Sequence, residues 1–230
     1  VVRALFSLLS ITTLQQASGG LRHGLICDLL GVSNAHDDLR EQSVLRLVKK
    51  FGADPAHGER VGTVALHLFG QLFNPSQDAN HDSLRELKWA AKLHEIGSHI
   101  SHSDYHKHGA YILDNADAMG FSLSELHRLG LLVLGQRGKL RKVEGLLLDE
   151  AFSLQLMCLR LAIILCHARR EPDLMGMQFQ RAAKDPRSIE LRCRQGWSEA
   201  FPQSAHLLRE ESLTWQKTPW TLAVLAGSAV

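Results

Sequence analysis

Residues 89–113 read WAAKLHEIGSHISHSDYHKHGAYIL, and this stretch decides the fold. Apolar residues recur at helical spacing at both of its ends, so it predicts the end of one helix, a polar turn and the start of another. Between those helices, His94, His99, His102, His106 and His108 fall within fifteen residues, with Glu95 and Lys107 among them. A packed core has no use for so many imidazoles. The segment is therefore where a phosphate, a metal or a proton would be handled.

Working outward, the chain reads as helix from Leu39 to about Arg170. Leu45, Val48 and Phe51 form one apolar stripe. Val61, Val64, Ala65, Leu68, Phe69 and Leu72 form a second, and Leu84, Leu87, Trp89, Ala90, Ala91 and Leu93 a third. Leu123–Leu134 and Phe152–Leu165 follow, the latter apolar almost all round and so predicted to be a buried central helix. Turn-forming residues break the pattern at 52–55, 73–80, 114–120 and 135–140, which gives a bundle of six or seven helices.

Beyond Pro172 the period changes. Ser188–Arg194 (SIELRCR) alternates with period two, 205–218 is amphipathic at helical spacing, and 221–225 (TLAVL) reads as a strand. A small β-α-β appendage from about 176 to 230 is the expectation. Upstream, Val1–Leu9 and LICDLLG (25–31) have helical spacing around the Gly19–Gly20 break, and turn-rich 31–38 marks a boundary. The expected organisation is 1–35, 36–175 and 176–230, mainly α with a small α+β end.

The 230 residues are 45% hydrophobic and 22% charged, in the range of a soluble globular chain. A net charge of +2 means that anion binding must come from local clusters and not from the overall field. Cys27, Cys158, Cys166 and Cys193 have no CxxC spacing, which points to reduced structural thiols and away from cysteine-bound zinc. No run approaches the ~18 apolar residues of a membrane span. The first segment is too short to fold alone and the chain opens on Val1, so a C-terminal piece of a longer protein is expected.

LHEIGSHISHSDYHKHGAYIL (93–113) resembles the exopolyphosphatase and guanosine pentaphosphate phosphohydrolase family, whose C-terminal helical domain reads LHEIGxxIxHSxYHKHGAYIL. The resemblance extends to GGLRHGLICDLLG (19–31), ERVGTVALHLFGQL (59–72), LVLGQRGKL (132–140) and LRLAIILCHARR (159–170), and so covers essentially the whole chain. It implies an HD-like helical bundle preceded by the remnant of an actin-like domain. In the family, the phosphate loops, catalytic carboxylate and magnesium belong to actin-like domains upstream of Val1. No catalytic residue is therefore expected here. The resemblance further implies a cytoplasmic homodimer that binds inorganic polyphosphate, with neither a membrane nor a specific nucleic acid as partner. Guanosine pentaphosphate hydrolysis is the alternative, and an autonomous metal-dependent HD phosphohydrolase or a pure interaction module are rivals from other classes.

Against the HD pattern, His57 in HGERV, His94 and Glu95 stand where metal ligands are expected. Glu95 replaces an Asp, and Ile163 or its neighbours replace the final Asp, so a degenerate, metal-free site is expected. The bland alternative is a buried His94 satisfied by a nearby carbonyl, with Glu95 paired to an arginine. His102, Tyr105, His106, Lys107 and His108 form either a phosphate-lining cluster or a capped polar loop. Arg137, Lys139, Arg141 and Lys142 put four cations into six residues, a polyanion contact or a solvated helix end. Arg22, flanked by glycines, is a further candidate for a ligand-facing position.

Overall fold

The computed structural model describes residues 36–72 and 81–226, together with Phe6, Leu8, Thr12 and Thr13. Arg22, Cys27, the stretch 25–31, the rest of 1–9 and the break at 73–80 lie outside the described residues.

Among the described residues the bundle has six α-helices: α1 (His36–Lys50), α2 (Pro55–Gln71), α3 (His81–Leu93), α4 (Tyr105–Asp114), α5 (Leu123–Gly135) and α6 (Glu150–Leu165), with short 3-10 turns at Ile96–His99 and Leu140–Leu146. Local chemistry sets their starts. The Asp54 carboxylate accepts from the Ala56 and His57 amides, and Pro55 occupies a first-turn position where no amide bond is lost. Ser122 and Glu125 form a reciprocal capping box for α5, and Asp149 accepts from the Phe152 amide at the start of α6.

The apolar run 152–162 is buried throughout, so α6 is the central helix that its all-round apolar sequence predicts. The second and third stripes are buried, apart from half-covered Leu72 and Leu84. The first needs correction. Val44, Leu47 and Val48 face the core, whereas Leu45 is 47% exposed. Leu45 and Val48 are three apart, but the α1 face turned to α3 is one residue out of phase with that reading. All four tryptophans are buried, and Cys158, Cys166 and Cys193 are buried free thiols.

The C-terminal part holds β1 (Gln178–Ala182), β2 (Asp185–Cys193), α7 (Trp197–Ala200), α8 (Pro202–Trp215) and β3 (Thr221–Ala226). β2 and β3 are parallel, joined through α8 as expected, while β1 is an additional strand, antiparallel to β2 at the other edge. Its QFQRA buries only Phe179 fully, too little alternation to recognise in sequence. One hydrophobic core runs through both parts of the chain. Trp220 Nε1 donates to the Leu147 carbonyl (2.9 Å), and the Phe179 amide donates to Gln71 Oε1 (2.6 Å). Arg160 of α6 forms a buried, two-pronged ion pair with Glu211 of α8, both contacts at 2.6 Å.

Candidate functional site

The histidine-rich stretch folds as a tight corner. α3 ends at Leu93, the chain turns through His94 and Glu95, and α4 begins at Tyr105 after Asp104, whose φ is 57°. Glycine at 97 is obligatory here: a Cβ would lie 2.0 Å from the Tyr105 carbonyl oxygen and 2.4 Å from the Gly109 amide nitrogen. The HEIG and HKHG segments thus press backbone against backbone. Gln136, at the end of α5, fastens the same corner by donating to the His94 carbonyl (2.6 Å).

His57, from the first turn of α2, meets His94 and Glu95 there. One possible ligand atom from each lies within 4.8 Å of the others, and the imidazoles are 5.3 Å apart. His94 Nδ1 is 2.6 Å from the Ala91 carbonyl. A carbonyl only accepts, so Nδ1 carries the proton and Nε2 keeps a lone pair. Burial lowers the pKa of His57 and takes His94 to about 4, so both are neutral at pH 7. His57 Nδ1 is buried without a partner among the described residues.

Two imidazoles and a carboxylate are a plausible donor set for a divalent ion. Arg169 opposes it, because its guanidinium reaches Glu95 Oε1 (2.7 Å) and Asp54 Oδ2 (3.1 Å). Among the described residues no fourth metal-binding side chain joins the group, and Ile163 offers none. The local field is already neutralised by an internal cation, so a metal would have to compete with Arg169 for Glu95.

Beside this group lies a second. The Arg137 guanidinium sits 5.3 Å from the centre of the Tyr105 ring. Lys142 Nζ donates to the carbonyls of Leu134 (3.2 Å) and Arg137 (2.8 Å). Burial, reinforced by Arg160 and Lys107, lowers the Lys142 pKa to about 8. Among the described residues, no carboxylate lies within ion-pair distance of Arg137, Lys139 or Lys142. The histidine segment and the basic run therefore converge at one end of the bundle.

The individual candidates differ in what they offer. His106 is buried with an unpartnered Nδ1, and burial, then Lys142, lowers its pKa to about 4. It cannot supply the positive charge that its sequence context suggests. Lys107 is exposed and pairs with Asp104 (3.0 Å), His102 and Lys139 are exposed, and His108 is half-buried. Arg169 is the partner that the pairing of Glu95 with an arginine leaves unnamed in the sequence. It follows the end of α6 in a left-handed conformation (φ 54°), where helical periodicity gives no signal; only the His-Ala-Arg-Arg polarity at 167–170 hinted at it.

The sequence matches the family described as Ppx/GppA phosphatase, domain III, over residues 39–214. It is similar to the guanosine-5'-triphosphate,3'-diphosphate pyrophosphatase of Aeromonas hydrophila, with 31% identity over 230 residues, 98% of this chain and 45% of that protein. The proteins of the same name from Pseudoalteromonas translucida and Pseudoalteromonas atlantica are 31% and 32% identical, covering 97% and 96% of this chain. The chain spans about half the length of the curated relatives it matches.

Proposed function

The chain belongs to the Ppx/GppA phosphatase family by its domain III, and from that premise we propose that it holds and guides the phosphates of a guanosine pentaphosphate-type substrate towards a hydrolytic site outside these residues. The names of the relatives favour the guanosine substrate over inorganic polyphosphate. The observation that carries the reading is the Arg137 guanidinium on the Tyr105 ring with Lys142 Nζ bonded to the Arg137 carbonyl, neither cation having a carboxylate within ion-pair distance among the described residues. Cations without a carboxylate partner suit a polyphosphorylated nucleoside, because their charges attract its phosphates.

Within this proposal, residues 57, 94 and 95 form an HD-like remnant that orders the corner and performs no chemistry. The hydrolytic magnesium belongs to the actin-like half, of which 1–35 is the remnant. The division at 35/36 and 175/176, a homodimeric state and a cytoplasmic location complete the proposal. Among the described residues no helix is long and apolar enough to cross a membrane.

The test is a titration of the chain with guanosine pentaphosphate and, separately, with long-chain polyphosphate. The expected result is salt-sensitive binding that Arg137→Ala/Lys142→Ala weakens, with the guanosine ligand preferred at equal phosphate concentration. Deprotonation of Lys142 above about pH 8 should weaken binding, whereas His106 contributes no change between pH 6 and 8. Binding that ignores both salt and the double substitution would sink the reading. Polyphosphate is the second reading, favoured by the length of the basic run. Equal or tighter polyphosphate binding would select it.

A further inference from the structure

A cleft with a cavity volume of about 240 Å³ opens between the turn that follows α6 and the α7–α8 corner, on residues that the phosphate-guiding proposal does not use. One wall carries His167 and Arg170; the other carries Trp197, Phe201, Gln203 and Ser204. The rings of Trp197 and Phe201 lie 5.3 Å apart at 40°, and Trp197 Nε1 donates across the cleft to the Asp173 carbonyl (3.2 Å), which fixes the apolar side.

Three features make the polar side a receptor for negative charge. First, the fourteen-residue α8 starts at Pro202 behind Phe201, which offers no capping side chain. The first cleft-side amide with an intrahelical partner is that of Ala205, bonded to the Phe201 carbonyl (2.9 Å), so the Gln203 and Ser204 amides precede the first helical bond.

Second, Ser204 is only 6% exposed, and its hydroxyl has one neighbour, His167 Nδ1 at 3.5 Å. That nitrogen is 2.9 Å from the Ile164 carbonyl and must carry a proton, so it has no lone pair for the serine. Among the described residues, the buried hydroxyl proton of Ser204 has no acceptor.

Third, the charges are unbalanced. Glu171 pairs with Arg60 (3.1 Å) and Asp173 with Arg194 (2.7 Å), while Arg170 has no carboxylate partner among the described residues. A guanidinium, an uncapped helix start and an unsatisfied hydroxyl converge beside an aromatic floor.

We infer that this cleft is a binding site for a small organic anion, a single flat ring carrying one phosphate or carboxylate, its anionic end on Arg170, Ser204 and the α8 amides and its ring against Phe201. The volume suits a ligand of one ring, below the usual range for drug-sized molecules.

The experiment titrates the full chain with phenyl phosphate, benzoate, inorganic phosphate and neutral benzyl alcohol, following backbone amide and indole resonances by NMR. The expected result is saturable shifts of the Gln203 and Ser204 amides and the Trp197 indole with one of the two aryl anions, at a Kd of about 1 mM or tighter. Arg170→Ala should weaken binding roughly fivefold or more, and Ser204→Ala by a smaller factor, since the guanidinium brings a charge to the anion and the hydroxyl only a neutral donor. Arg170 is exposed, so its variant tests the charge without disturbing the core. No saturable shift with either aryl anion up to about 20 mM, equal shifts with benzyl alcohol or with inorganic phosphate, or unchanged affinity in Arg170→Ala would each overturn the inference.

Discussion

Two arginines near the end of α6 meet acidic partners in opposite settings. Arg160 is 5% exposed; beyond its two contacts with Glu211, its Nη1 donates to the carbonyls of Gly135 (2.6 Å) and Gly138 (3.2 Å). Glu211 also accepts from Trp215 Nε1 (2.6 Å), so all three guanidinium nitrogens and both carboxylate oxygens of that network have partners. Arg169, nine residues on, has a side chain 52% exposed, holds Glu95 and Asp54 singly, and stands beside His57, whose Nδ1 has no partner. The first arrangement is dry and complete, and fixes where α8 lies and where the loop carrying Arg137 turns. The second is wet and incomplete, and so can exchange partners. Satisfied buried charge builds the scaffold, and half-solvated charge beside unsatisfied imidazole is where ligand chemistry remains possible.

Breaking the dry network tests this contrast most strongly. Glu211→Ala, which leaves the Arg160 charge buried, is expected to cost about 3–5 kcal/mol in urea denaturation, while Arg160→Met with Glu211→Leu recovers much of that loss. If Glu211→Ala costs under ~1 kcal/mol, the network is not the buried anchor described here.

Gly97→Ala comes next. The added Cβ would meet backbone at 2.0 Å, with no flexible side chain to yield, so a loss of about 1–3 kcal/mol or more is expected, with displaced His94 and Tyr105 resonances. An unperturbed variant would show that the corner has slack.

Acid sharpens the comparison at the wet end. The folded-state pKa values of His94 and His106 are depressed to about 4, so below the unfolded value of about 6.5 the unfolded chain binds more protons. Stability should therefore be complete above pH 6.5 and fall as pH drops towards 4, by about 1–2 kcal/mol over the first unit. His94→Gln should flatten that slope; an unchanged slope would place the titration elsewhere.

The smallest effect is expected of Arg169→Ala. With its side chain half in solvent, the loss of its two contacts should cost about 0–1 kcal/mol, but the variant should take up manganese or zinc more readily, because Glu95 is released. Calorimetry finding no gain in metal affinity would mean that Arg169 is not what competes at this cluster.

Most of the helical order was legible, because the stripes on α2 and α3 have the period of the helix, the run in α6 is apolar all round, and turn-forming residues at 52–55, 114–120 and 135–140 separate the helices. β1 was not legible, since five residues with one buried side chain carry too little pattern. At the site, the sequence placed His57, His94 and Glu95 together through a resemblance, and its bland alternative, a carbonyl for His94 and an arginine for Glu95, is what the structure shows, though neither Ala91 nor Arg169 could be named. Partners across 74 residues are set by packing and leave no local trace. Burial likewise made His106 a neutral residue, although a string of cationic neighbours suggested the opposite.

The core that continues from α6 into the sheet has a consequence for how the chain comes apart. Trp220 on Leu147 and Glu211 on Arg160 tie the last fifty residues to the helices by dry contacts, and Phe179 on Gln71 adds a part-buried one. A cut near 175 would leave a guanidinium stranded in an apolar interior. Helices and sheet should then lose structure in a single transition, and the region is tradeable between longer proteins only whole.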